Sequence, residues 1–121
     1  MINEQMPCDF IGTVRIMNLP IFFDAKSCGV KQASFPLNNP KQVEPHQIRF
    51  LMAQGRAGAI AGLLVKSERT REYLWLSWRD LDVAGCIQWH SHLWMVLGEV
   101  DKPVSFSRLL ALAAMKKEVS Q

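Results

Sequence analysis

Three cysteines in 121 residues, Cys8, Cys28 and Cys86, are an odd number with no metal-type pair spacing. That count excludes a disulfide framework and points to free thiols in a reducing compartment. Cys8 and Cys28 flank the acids Asp9 and Asp24 in sequence, but no adjacent base marks either as a nucleophile, so buried or incidental thiols are expected. No apolar run approaches the roughly 18 residues that a membrane span needs. Residues 1–7 lack both a basic start and an apolar stretch, so no signal peptide and no membrane association are expected, and a cytoplasmic protein is (cellular, or phage-encoded and acting in a host cytoplasm). Internal repeats and low-complexity tracts are missing too. Charge of one sign is scarce: 14 basic against 11 acidic residues leave a net charge of +3, which permits a polyanionic partner without demanding one. At this length a single domain, residues 1–121, is expected, able to bury a core of its own.

What is present is a pair of short apolar runs around Met17-Asn18-Leu19-Pro20, with Asp9 at the start of the first and Asp24 and Lys26 toward the end of the second. Read as a β-hairpin with a connection of two or four residues, odd positions of the first arm share a face with even positions of the second. Asp9, Ile11, Thr13, Arg15, Phe22, Asp24 and Lys26 then line one face. Phe10, Gly12, Val14, Ile16, Ile21, Phe23 and Ala25 line the other, with no polar side chain. The expected result is one buried face and one working face. With Met17-Asn18 as the loop, Asp9 stands directly opposite Lys26, about 5 Å away between Cβ atoms.

Residues 27–41 hold Gly, Ser, Asn and two prolines and read as a long loop that hangs Lys31 and Lys41 near the charged face. A helix is expected from Pro45, with Ile48, Leu51 and Met52 as its apolar stripe, Arg49 outside and Gly55 as its C-cap. Residues 58–65 read as a buried strand, 66–71 as a polar turn, 72–78 as an alternating strand and 79–81 as the start of a short helix. Lys66, Arg69 and Arg71 sit at the turn, as a solvated tip or as phosphate contacts. His90-Ser91-His92 has the spacing of two ligands on one strand face, but aromatic packing around two polar histidines is the stronger reading. Phe106, Leu109, Leu110, Leu112, Ala113 and Met115 give residues 85–121 a terminal helix with an apolar side.

Two carboxylates held close together repel, and a cation relieves this. Mg²⁺, or Mn²⁺ in its place, takes carboxylate, carbonyl and water oxygens, so Asp9, Asp24 and the main-chain carbonyl of Ala25 form a candidate metal site. A bound metal lowers the pKa of water and stabilises charge developing on phosphorus. Lys26 can orient that water or offset the charge. Together these parts describe phosphodiester hydrolysis.

In order, Asp9-Phe10-Ile11-Gly12, Phe23-Asp24-Ala25-Lys26-Ser27, Ser34-Phe35-Pro36-Leu37 and His46-Gln47-Ile48, followed by the apolar strand, resemble the RecU-type Holliday junction resolvases of the PD-(D/E)xK nuclease superfamily. The resemblance covers a core of about residues 9–81 and leaves 85–121 as an extension. It implies an α/β restriction-endonuclease-like fold, with a mixed central sheet and flanking helices, but without the N-terminal helix that normally precedes the hairpin. It matches Asp9 and Asp24 to the metal-binding acids, Lys26 to the catalytic lysine and Gln47 to a polar position near the active centre. Lys31, Lys41, His46 and Arg49 become candidate nucleic-acid contacts. The implied activity is a Mg²⁺-dependent endonuclease acting as a homodimer on branched DNA in recombination and repair. The chain departs from the pattern at Pro7-Cys8-Asp9, where one residue is inserted, and at Asp24, which replaces the more usual Glu. The alternatives are a flap or branched-DNA nuclease of the VRR-NUC type, whose helix start resembles Pro45-His46-Gln47, and a non-catalytic nucleic-acid-binding or assembly module on the same fold.

Overall fold

The computed structural model describes residues 10–14 and 19–103, with side chains from residue 20 onward. The chain runs β1 (Phe10–Val14), β2 (Leu19–Cys28), β3 (Ser34–Pro36), α1 (Pro45–Arg56), β4 (Ile60–Ser67), β5 (Glu72–Ser77), the 3-10 turn Trp78–Asp80, β6 (Cys86–Gln88) and β7 (Trp94–Glu99). This is the mixed α/β architecture expected, with one described helix.

The sequence of β4, IAGLLVKS, has no polar side chain before its last two residues. Such a strand rests only where both faces are covered. It occupies the centre of a five-stranded sheet of order β1-β2-β4-β5-β7. β2 and β4 pair in parallel, while β1 pairs antiparallel with β2, β5 with β4 and β7 with β5. A parallel pair needs a long crossover, and here β3 and α1 fill it. Alternate residues of β4 go to opposite sides. Ala61, Leu63 and Val65 join Leu74, Leu76, Leu51 of α1, Phe35 and Leu37 in the larger core. Ile60 joins Trp75 and Leu97 in a smaller cluster on the other face, with Ile21, Phe23 and Leu64 packed against it. Gly62 lets Trp75 lie over β4, since a Cβ there would come within 2.7 Å of the indole and 2.3 Å of the Leu76 carbonyl.

Helix α1 starts at Pro45 as expected. Leu51 is fully buried, and Ile48 and Met52 pack on the core from its edge. Its end differs from the expectation. Gly55 is inside the helix and buried, because Trp78 lies where its side chain would be: a Cβ would fall 2.1 Å from the ring. The chain leaves the helix through Ala57 and Gly58, whose φ of +102° is the left-handed conformation glycine adopts freely. Gly58 N–H donates to the Gly55 carbonyl and Ala59 N–H to that of Gln54, both at 3.0 Å, which closes the helix.

Five of the fifteen residues of the loop expected over 27–41 pair as strand instead, and the rest is turn and irregular chain. β2 extends to Cys28, and β3 pairs with β6 as a separate two-stranded sheet, setting Phe35 opposite Ile87. Phe35 packs edge-on to Trp94 at 5.7 Å, and Trp89 stacks on Trp94 at 5.6 Å. Three large rings cover this stretch, which outweighs the local bias of its prolines and glycine toward irregular chain.

Candidate active site

β2 places the site's residues. Its pairing with β1 sets Phe10 against Phe23 and Val14 against Leu19, so four residues separate the paired arms. The four-residue alternative therefore holds. The Met17-Asn18 loop does not, since it requires Phe10 opposite Ala25. The face division survives, because the two registers differ by two residues. What changes is the character of the charged face. It is not an open working surface opposite a buried one. Phe22 and Cys28 on that face belong to the larger core, their β4 neighbours Ala61, Leu63 and Val65 are buried, and α1 lies against it. The physical reason is the crossover, which must carry α1 across one side of β2 and β4.

Asp24 is fully buried on this face, beside Leu63 of β4. Ala25 points away and is exposed, and Lys26 returns to the face, half-buried. Lys26 Nζ donates to Gln47 Oε1 at 3.3 Å across 21 positions of sequence. Gln47 is the third residue of α1, and the same oxygen accepts the Glu44 backbone N–H at 3.4 Å. The Glu44 side chain in turn faces the Gln47 N–H, a reciprocal cap on the helix start. Glu44 also pairs with His46, Nδ1 to Oε2, at 3.1 Å. One amide oxygen thus joins the helix N-terminus to the lysine of β2.

Asp9 lies outside the described residues, as do the region where an N-terminal helix was expected to be missing and the terminal helix expected over Phe106 to Met115. Lys31 and Lys41 are exposed, in the segments that leave β2 and enter α1. Arg49 is exposed on α1 and His46 half-buried at its start. Sequence reasoning missed the Glu44–Gln47 cap, although the E-x-x-Q spacing ahead of an apolar stripe was visible; a glutamate at the N-cap is not the usual signal. His90 and His92 fall in the turn after β6 rather than on a strand, and both are exposed. Among the described residues no three of His, Cys, Asp and Glu gather to hold a metal. Cys28 is buried, and burial pushes its thiol up to about 11, so it stays protonated at neutral pH. No described helix is long and apolar enough to cross a membrane.

The Asp24 carboxylate and the adjacent Ala25 carbonyl are hard oxygen donors of the kind Mg²⁺ and Mn²⁺ prefer. A carboxylate at this depth is costly unless charge or hydrogen bonds compensate it. The residues present fit such an ion.

Comparison with curated proteins returns no match. A protein-family model described as "RecU: Recombination protein U" matches residues 1–90, about three quarters of the chain and beyond the 9–81 core recognised from motifs. The protein belongs to the RecU family of recombination proteins, the Holliday junction resolvases, a family of endonucleases acting on branched DNA.

Proposed function

We propose that this chain is a Mg²⁺-dependent endonuclease that resolves four-way DNA junctions by hydrolysing phosphodiester bonds, working as a homodimer. Asp9, Asp24 and the Ala25 carbonyl would hold the metal, which when bound supplies an activated water and stabilises charge on the scissile phosphate. For Asp9 this requires one more step of the β1–β2 ladder: Phe10 pairs with Phe23, so its preceding residue would continue opposite Asp24. Lys26 is the proposed catalytic cation. Its acceptor, the Gln47 amide, is neutral, so it orients the ammonium without cancelling its charge. An ammonium has three donors, and one bond to Gln47 leaves two for a water or a phosphate oxygen. A symmetric dimer suits a two-fold substrate, because paired sites can nick opposing strands.

The observation that carries this reading is the Lys26–Gln47 contact on the same face as the buried Asp24, in a chain of this family. The experiment is cleavage of a synthetic four-way junction, a flap and a plain duplex, with Mg²⁺, with Mn²⁺ and with chelator. Paired symmetric nicks on the junction, abolished by chelator and by Asp24→Ala or Lys26→Ala, are expected. Binding without cleavage under both metals would instead mark a non-catalytic module. Preferential cutting of the flap would mark a VRR-NUC-like nuclease.

A further inference from the structure

Three cations surround the β4–β5 turn, and the fold treats them differently. Arg71 bonds Glu68 at 3.0 Å and also pairs with Asp101. Lys66 lies 3.9 Å from the same Glu68. Arg69 reaches away from both acids. Its Nη1 donates at 3.2 Å to the Val30 carbonyl, 39 positions away. That carbonyl belongs to the peptide joining Val30 to Lys31, so the guanidinium stands at the base of the Lys31 side chain. Both cations are exposed, and among the described residues neither makes an ion pair.

The segment that carries Lys31 is held in place from several sides. Gln32 N–H donates to the Gly29 carbonyl at 3.1 Å, closing a turn. Trp89 Nε1 donates to the Gln32 carbonyl at 2.8 Å. Glu68 N–H donates to the Cys28 carbonyl at 2.9 Å, fixing the β4–β5 turn against the end of β2. Lys31 and Arg69 are thus rooted at one turn of the fold, and among the described residues no acid pairs with either, while Lys66 and Arg71 both pair with Glu68. Two exposed cations rooted in one held turn, without a carboxylate partner among the described residues, suit an anion from outside. Val30 is four residues past Lys26, within about 14 Å along the chain, so that anion would lie on the polymer entering or leaving the cleavage site.

We infer that Lys31 and Arg69 form a phosphate clamp for the DNA strand beside the scissile bond, preorganised by the bonds that Arg69 and Trp89 make to the turn at residues 29–32. The inference rests on the nuclease reading above and adds to it a contact on the hairpin turn. Arg69 has guanidinium donors beyond the one on Val30, and Lys31 adds a compact ammonium. Neither residue takes part in bond cleavage.

The test is binding of a fluorescent four-way junction without divalent metal, measured from 50 to 200 mM salt. The chains compared are the wild type, Lys31→Ala, Arg69→Ala, the double variant and Arg71→Ala, each checked for its melting temperature. Each phosphate contact contributes roughly 0.9 to the slope of log affinity against log salt. Lys31→Ala and Arg69→Ala are each expected to lower the slope by about that amount, and the double variant by about twice as much. Arg71→Ala should leave it unchanged. Among the described residues the Lys31 side chain makes no hydrogen bond or ion pair, so its variant separates lost charge from a loosened turn. Wild-type slope in Lys31→Ala and in the double variant would overturn the clamp and leave the nuclease reading standing. A wild-type chain with no affinity for the junction would overturn both.

Discussion

On the face of β2 and β4 that α1 covers, Asp24, Lys26, Cys28 and Ser67 sit among the leucines of the larger core. On the opposite face Ile21, Phe23, Ile60, Leu64, Trp75 and Leu97 form a smaller apolar cluster, with Tyr73 and its strand partner Lys66 toward the β4–β5 turn. The same strands build both. The difference is that the first face has a helix start aimed at it, whose Gln47 amide meets Lys26. Polar groups can be held in a core where another element brings donors and acceptors to them, and the second face has no such element among the described residues.

Substitutions on the two faces should therefore separate activity from stability. Trp75→Ala removes a fully buried indole and is expected to cost about 3–5 kcal/mol by denaturant unfolding, with cleavage per folded molecule retained. Asp24→Asn should do the reverse, lowering junction cleavage by on the order of 10²–10³-fold while the unfolding midpoint barely moves. If both variants lose both properties, the faces are not separable.

The glycines sharpen the contrast. Gly62→Ala on the second face and Gly55→Ala against Trp78 both force atoms into occupied space. Each is expected to destabilise by about 1–3 kcal/mol. Only Gly55→Ala should also alter cleavage, through α1. Thermal melts beside single-turnover rates distinguish them.

Gln47 tests the link between helix and strand. Gln47→Ala should cost about 0.5–2 kcal/mol as a lost cap and slow cleavage about tenfold or more. Gln47→Glu keeps the cap but puts a negative charge on Lys26. Its expected signature is a pH–rate profile displaced to higher pH, which a purely structural role would not produce.

The smallest effect is at Cys28. Its folded thiol titrates near 11 against about 9 unfolded, so the fold binds a proton the unfolded chain has released. Stability from this source is whole below pH 9 and is lost as pH rises from about 9 to about 11. A loss of about 1 kcal/mol by pH 10 is expected, and Cys28→Ala should remove that slope. Equal slopes in the two chains would mean that the thiol is not protected by burial.

The periodicity of β2, β4 and α1 could be read directly, because each strand or helix shows its buried positions at a fixed spacing and Pro45 marks a helix start. Phe35 was present in the sequence, yet nothing local says that it pairs with a strand fifty residues away and packs edge-on to Trp94. Gly55 was misjudged for a similar reason: a glycine near a helix end and a glycine under a distant tryptophan look alike in one dimension. The alternation that puts Asp24 and Lys26 on one face was legible. Which face α1 would cover was not.

Residue order alone determined the parity of the first two arms, the buried centre of the sheet and the family motifs, since these depend on neighbours within a few positions. The fold decided that Asp24 is enclosed rather than exposed, that Gln47 meets Lys26, and that Arg69 bonds the Val30 carbonyl instead of an acid. Those outcomes depend on how a crossover helix and a distant turn are laid against β2, and the energy of such long-range packing is not written in any single segment.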